Sequence, residues 1–180
     1  MSLVQHDTVD TPMGDRAGGH QLNSLGMPSE EARGIAERAH RGHVEPSGRP
    51  YIDHVRRVVA EVPPDATSVA WLHDVLEWTA LAEDDEALAR LAPQERAALL
   101  LLTRCGDDGD DDDHFLSHVR SIAAASGAAG EIARAVKRAD MEDRFRHPRD
   151  PGATWRPPYP VALEMLANTD DRHETKGTSR

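Results

Sequence analysis

Apolar residues recur at helical spacing along most of the chain. Ala32, Ile35, Ala36 and Ala39 share one face of a segment opening at Pro28-Ser29, where Ser29 is placed to cap a helix. That segment stops at Arg41-Gly42, and Glu45-Pro46-Ser47-Gly48-Arg49-Pro50 has the composition of a loop. The spacing predicts a second helix over about 51–61, halted by Pro63-Pro64. A third is expected to open at Asp65 or Thr67 and run through Val69, Ala70, Leu72, Val75 and Leu76. Further along, a short acidic helix is expected over 83–91, and an Ala- and Leu-rich helix over 94–104 with Pro93 at its start. Two more follow near 113–125 and 128–145, parted by Ser126-Gly127, and a last one near 160–168. No segment alternates like a strand and no repeat is present, so the pattern predicts an all-α chain with one domain.

The ends lack that periodicity. Residues 1–27 read as a disordered leader, 28–168 as the folded domain, and 169–180 as a flexible tail. Hydrophobic residues make up 38% of the chain and aromatics only 4%, so the core must rest on Ala, Leu and Val, which suits close-packed helices. No apolar run is long enough to span a membrane, and no basic segment leads into an apolar stretch at the N-terminus. Cys105 is alone, which rules out an internal disulfide and points to a reducing cytoplasm. A net charge of −11 argues against binding a nucleic acid polymer, since displacing phosphate counterions takes a basic face. A small phosphorylated substrate is still compatible, because a bound cation and a few local bases can dominate the field in a pocket.

Three segments carry residue types suited to chemistry. In Trp71-Leu72-His73-Asp74-Val75-Leu76-Glu77 a His-Asp pair interrupts an apolar helix, and burying both is costly unless they are neutralised or ligated. Glu77 lies one turn beyond His73 and overlooks the same spot. His54 follows Pro50-Tyr51-Ile52-Asp53 in the first turn of a helix, and Asp140 ends the apolar stretch Ala135-Val136-Lys137-Arg138-Ala139. Each has a plain structural reading when taken alone: a solvated His, or an Asp paired with Lys137 or Arg144. Together they offer two imidazoles and two carboxylates, a mixed nitrogen and oxygen set suited to Mn²⁺, Fe²⁺, Co²⁺ or Zn²⁺. The acidic run 107–113 lacks the closing Glu of a calcium loop and reads as a solvated loop. His114 and His118 stand four apart without a clear further ligand, and Arg56-Arg57 reads as helix surface.

The order of these motifs resembles the hydrolase domain of the Rel/Spo family and its small stand-alone relatives. The matching run is Ala39-His40-Arg41-Gly42, Gly48-Arg49-Pro50-Tyr51-Ile52-Asp53-His54, Leu72-His73-Asp74-Val75-Leu76-Glu77, Leu102-Thr103-Arg104 and Val136-Lys137-Arg138-Ala139-Asp140, spread over about residues 30–168. The resemblance implies an HD-domain helical bundle that removes the 3′-pyrophosphate of ppGpp with Mn²⁺. It also implies that His54, His73, Asp74 and Asp140 are the metal ligands and that Glu77 assists the attacking water. The chain departs from the family pattern in four places. Trp78 stands where a carboxylate follows Glu77, Arg144 stands four residues after the last ligand in place of Asn, Val55 replaces the Pro after His54, and Glu45-Pro46 occupies a loop that is usually basic.

The expectation is therefore a metal-dependent phosphohydrolase acting on a small nucleotide or related phosphate ester, with Mn²⁺ first among the candidate ions. Glu77 is its acid–base group, and Lys137, Arg144, Arg41 and Trp78 are the candidate substrate contacts. The alternative is a degenerate HD scaffold that binds a nucleotide or a partner without turnover.

Overall fold

The computed structural model describes residues 26–104 and 111–174. The chain runs through helices α1 (Ser29–Ala39), α2 (Tyr51–Ala60), α3 (Thr67–Leu72), α4 (Val75–Trp78), α5 (Pro93–Leu102), α6 (Asp112–Ala124), α7 (Gly127–Arg146) and α8 (Tyr159–Glu174). The only β pairing among the described residues is an isolated antiparallel bridge between Val44 and Pro50. Most boundaries follow the hydrophobic spacing. The exceptions have local causes.

Order starts before Pro28. Met27 is buried, its N–H donates to Glu95 Oε2 (3.0 Å), and its carbonyl accepts from the Ser68 hydroxyl (2.6 Å). Residues 1–25 of the expected leader lie outside the described residues. Pro28 takes the N-cap position of α1 and Ser29 is already helical, without a side-chain cap bond. Glu95 also accepts from Ala92 N–H (2.8 Å), so one buried carboxylate caps α5 and ties down the start of the fold.

The third helix is not continuous. A 3₁₀ turn at Pro64–Ala66 leads into α3, which stops at Leu72, and α4 begins only at Val75. His73 and Asp74 occupy the break, and the Asp74 carbonyl instead accepts from Glu77 and Trp78 N–H (3.2 and 3.0 Å). The acidic stretch near 83–91 forms just one 3₁₀ turn, Glu86–Leu88, capped by the Asp85 side chain. Of the acidic loop at 106–113, residues 111–113 are described, and Asp111 caps α6 by accepting from His114 N–H (2.9 Å). Helix α8 continues to Glu174, past the expected end near 168, and the rest of the expected tail lies outside the described residues.

The long α7 is the axis of the bundle. It packs against α2, α5, α6 and α8, while α1 lies on α3. Leu72, Leu88, Leu99, Ile122, Met141 and Leu166 are fully buried between these layers. Each such side chain contributes about 1.5–3 kcal/mol of burial free energy relative to exposure. Near its N-terminus α7 crosses the end of α6 so closely that a Cβ on Gly130 would lie 2.2 Å from the Ala125 carbonyl oxygen. That oxygen already accepts from Arg134 Nη1 (2.6 Å). Gly130→Ala is therefore expected to destabilise the fold by about 1–3 kcal/mol through overpacking. Urea unfolding checks this, and an unchanged midpoint would show that the α6–α7 junction yields freely.

Candidate metal centre

The break after α3 is what brings the chemistry together. His73 and Asp74 sit where the helix stops, facing His54 on α2 and Asp140 on α7. His54, His73 and Asp140 each present one ligand atom, and the three atoms lie within 4.8 Å of one another. His54 Nε2 is 3.4 Å from Asp140 Oδ1 and 3.7 Å from Asp74 Oδ2. Asp74 Oδ2 is also 3.0 Å from His73 Nε2, so all four expected ligands converge.

The tautomers follow from what holds each ring. His73 Nδ1 donates to the Ala70 carbonyl oxygen (2.8 Å), and His54 Nδ1 donates to Asp143 Oδ2 (2.6 Å). Both imidazoles therefore turn Nε2 towards the shared point. Each Nε2 is buried and lacks a hydrogen bond of sound geometry. A buried polar nitrogen without a partner costs free energy, and two of them aimed at one place beside two carboxylates fit a divalent cation. The donor set has two imidazole nitrogens and two carboxylates, which suits a first-row ion with open positions. The cluster and the fold together mark a centre for a divalent metal.

Asp143 is the supporting residue that sequence reasoning missed. Its Oδ1 accepts from Arg57 Nε (2.6 Å), and its Oδ2 accepts from both Arg57 Nη2 (3.0 Å) and His54. Burial alone would raise its pKa, but the hydrogen bonds from His54 and Arg57 hold its carboxyl well below the usual range. Arg57, expected on the helix surface, thus reaches inward to anchor the carboxylate behind a ligand histidine. Tyr51 plays a similar part for Asp74, donating to Oδ2 (2.5 Å) while accepting from Arg144 Nη2 (3.1 Å). Its ring stacks on His43 (4.4 Å) and His40 (4.8 Å). Burial pushes the His40 pKa down to about 4, so that ring is neutral at ordinary pH.

The other expected site residues divide. The centre opens into a cleft of about 600 Å³ lined by Glu77, Trp78, Lys137 and Arg144 among others. Glu77 accepts from Arg104 N–H (2.6 Å) and lies 3.7 Å from its Nε. Its pKa is raised, chiefly by burial and further by Asp74, against the pull of Arg104 and Lys137. Lys137 donates to Asp140 Oδ2 (3.0 Å). Arg144 donates to the buried Glu45 and lies 3.9 Å from Asp140 Oδ1 and 4.0 Å from Asp74 Oδ2. Arg41 is exposed beyond the end of α1 and is not brought into the cleft. His114 bonds Asp111 on α6, away from the centre, and joins no ligand cluster among the described residues.

The described residues form an all-α helical bundle with a His-Asp pair at its centre. Among solved structures it is similar to that of a metazoan ortholog of SpoT that hydrolyses ppGpp, with a TM-score of 0.60 and 21% sequence identity over 81% of this chain and 88% of that one. No protein-family model and no curated protein sequence matches the chain. No described helix is long and apolar enough to cross a membrane.

Two expectations follow from this geometry. Asn in place of Asp143 offers one acceptor to the two donors His54 and Arg57, so Asp143→Asn should weaken metal binding by about 10- to 100-fold. Calorimetric titration with Mn²⁺ measures this, and an unchanged affinity would strip Asp143 of its supporting role. The second concerns pH. Burial would lower the His73 pKa, but the negative charges of Asp74, close to its Nε2, and of Asp140 outweigh that and hold it up at about 9. The stabilisation this gives the metal-free protein is fully present below the unfolded value near 6.5 and is lost as pH rises through 9. A ligating imidazole must be unprotonated, so metal affinity should instead climb over that window. Thermal melts of chelator-treated protein should fall from pH 7 to 9 and those with Mn²⁺ should not; parallel profiles would contradict the linkage.

Proposed function

We propose that this protein is a metal-dependent phosphohydrolase acting on a small nucleotide or related phosphate ester, with residues 28–168 as its catalytic HD-type domain. The observation that carries the reading is the pair of buried imidazoles whose free Nε2 atoms meet two carboxylates at the floor of a cleft that also holds Glu77. In this reading His54, His73, Asp74 and Asp140 hold the ion, with Mn²⁺ the first candidate. Such a cation supplies Lewis acidity towards phosphoryl oxygens and a lowered pKa for water.

The chain's own residues supply the rest. Glu77, whose pKa burial raises above the ordinary carboxylate value, is fitted to accept a proton from attacking water and return it to the leaving oxygen. Arg104 fixes the Glu77 carboxylate from the cleft wall. Lys137 offsets the charge of Asp140 and faces the cleft, where it can share a phosphoryl oxygen. Arg144 is held by Glu45 and Tyr51, so its role is to moderate the negative charge of Asp74 and Asp140 rather than to reach for substrate. Trp78 supplies an apolar surface at the rim, 38% exposed.

Because the metazoan ortholog of SpoT hydrolyses ppGpp, that compound heads the list to test. It carries two diphosphates and favours several free cations at the pocket mouth, whereas here the loop before Tyr51 contributes Glu45 and Arg144 is spent on it. Turnover of ppGpp is expected to be slow, with another phosphorylated nucleotide preferred. The test is a panel of phosphorylated nucleotides with Mn²⁺, run beside Glu77→Gln. The variant should keep its metal and lose about 10²- to 10⁴-fold in turnover of whichever compound is cleaved. No turnover of any compound by metal-loaded protein would overturn the enzymatic reading in favour of a binding scaffold.

A further inference from the structure

The cations around the cleft are unequal in what they are committed to. Arg104 faces Glu77, Lys137 bonds Asp140, and Arg144 is held by the buried Glu45. Arg149 is different. No carboxylate among the described residues forms an ion pair with it, and yet its guanidinium is placed with care. The Cζ atom sits 3.8 Å from the centroid of the Trp78 ring and 5.8 Å from that of Tyr51. Tyr51 is the residue that donates to Asp74, and Arg149 lines the same cleft as Asp74 and Asp140.

The backbone at this point is fixed from two sides. The Arg149 carbonyl accepts from Ser47 N–H (3.2 Å), and the preceding Pro148 carbonyl accepts from Arg49 Nη2 (3.2 Å). The segment after α7 is thereby laced to the loop before α2. A guanidinium seated over an indole face can keep its in-plane N–H fork free, and that fork matches the oxygens of a phosphate. Stacking also removes in advance much of the rotamer freedom that binding would otherwise cost.

We propose that Arg149, shelved on Trp78, is the residue that receives a phosphate group of the substrate at the mouth of the cleft. This rests on the phosphohydrolase reading and names the contact which the sequence-nominated Arg144 and Arg41 do not make. It also gives Trp78 a purpose: the indole orients a cation instead of stacking on a nucleobase. Arg149 is thus a substrate-binding residue, and Trp78 a positioning residue that acts through it.

The probe is inorganic pyrophosphate, titrated calorimetrically into the full chain with and without Mn²⁺. Arg149→Met, which keeps length and loses charge and donors, should raise the dissociation constant by about 10- to 100-fold. Arg149→Lys should recover part of that loss. Trp78→Ala should cost less, about two- to fivefold, and should cost nothing further in the Arg149→Met background. Adenosine and guanosine without phosphate should not bind. Melting curves of each variant check that the fold is kept. With a cleaved substrate, Arg149→Met should raise KM and leave kcat nearly unchanged, the pattern of lost ground-state binding. Pyrophosphate affinity unaltered by Arg149→Met, absent in the unsubstituted protein, or matched by unphosphorylated nucleosides would overturn the assignment. Because the titration needs no reaction, a protein that turns over nothing yet binds pyrophosphate through Arg149 would sink the phosphohydrolase reading alone.

Discussion

Two histidines buried with one ring nitrogen spent and the other left over set the terms for this fold. Each Nδ1 is used on a protein acceptor, and each Nε2 makes no hydrogen bond and is pointed at the carboxylates of Asp74 and Asp140. Burial of such atoms is unfavourable by itself, so the surrounding helices have to bring compensating charge to that spot. The lengths of the elements follow from this requirement. Helix α2 begins directly after Pro50, so that His54 comes one turn inside it. Helix α3 stops at Leu72, so that His73 and Asp74 fall in a turn where both side chains reach one point. Helix α7 is long enough to supply Asp140 at the centre and Asp143 one turn later behind His54.

That logic explains what could be read from the chain and what could not. His73 and Asp74 stood out because they interrupt an apolar pattern where burial has a cost, whereas His54 and Asp140 joined them as candidate ligands through the order of motifs that resembles the Rel/Spo hydrolase domain. Most helices were legible from spacing, although the acidic one expected over 83–91 is a single 3₁₀ turn and α8 runs past its expected end. The break at His73-Asp74 was not, since Trp71, Leu72, Val75 and Leu76 continue a helical period straight through it; tertiary demand overrides that local preference. Asp143 was hidden for the opposite reason. It stands in Met141-Glu142-Asp143-Arg144, where an acidic residue looks like ordinary helix surface, and only its one-turn offset from Asp140 hinted at a shared face. Arg57 was read as surface because its stem begins there, although its head reaches Asp143. Arg149 sits in a proline-rich connection with no period, and its place over Trp78 is a matter of tertiary geometry.

The electrostatics of the centre form one connected system. Arg57, Lys137 and Arg144 approach the carboxylates from different sides, and Tyr51 links Asp74 to Arg144. Burial drives Asp74 and Asp140 towards protonation, while His73 and Lys137 foremost among the surrounding positive groups pull them well below their ordinary range. The carboxylates therefore stay ionised in a place that would otherwise favour their neutral forms, as metal ligation requires.

The Glu45–Arg144 pair has a consequence for which substitutions this chain tolerates. The two positions are 99 residues apart, yet Glu45 is almost wholly enclosed and Arg144 nearly so. Breaking a buried pair by exchanging one member strands the other charge and costs about 3–5 kcal/mol, a large share of the stability of a domain this size. Neither position is therefore open to exchange alone without leaving the other's charge among buried groups. Either substitution made first passes through a weakened protein, whereas both made together need not. Positions 45 and 144 act as a locked combination, so substitutions at the exposed rim of the cleft disturb the fold less than substitutions at this pair.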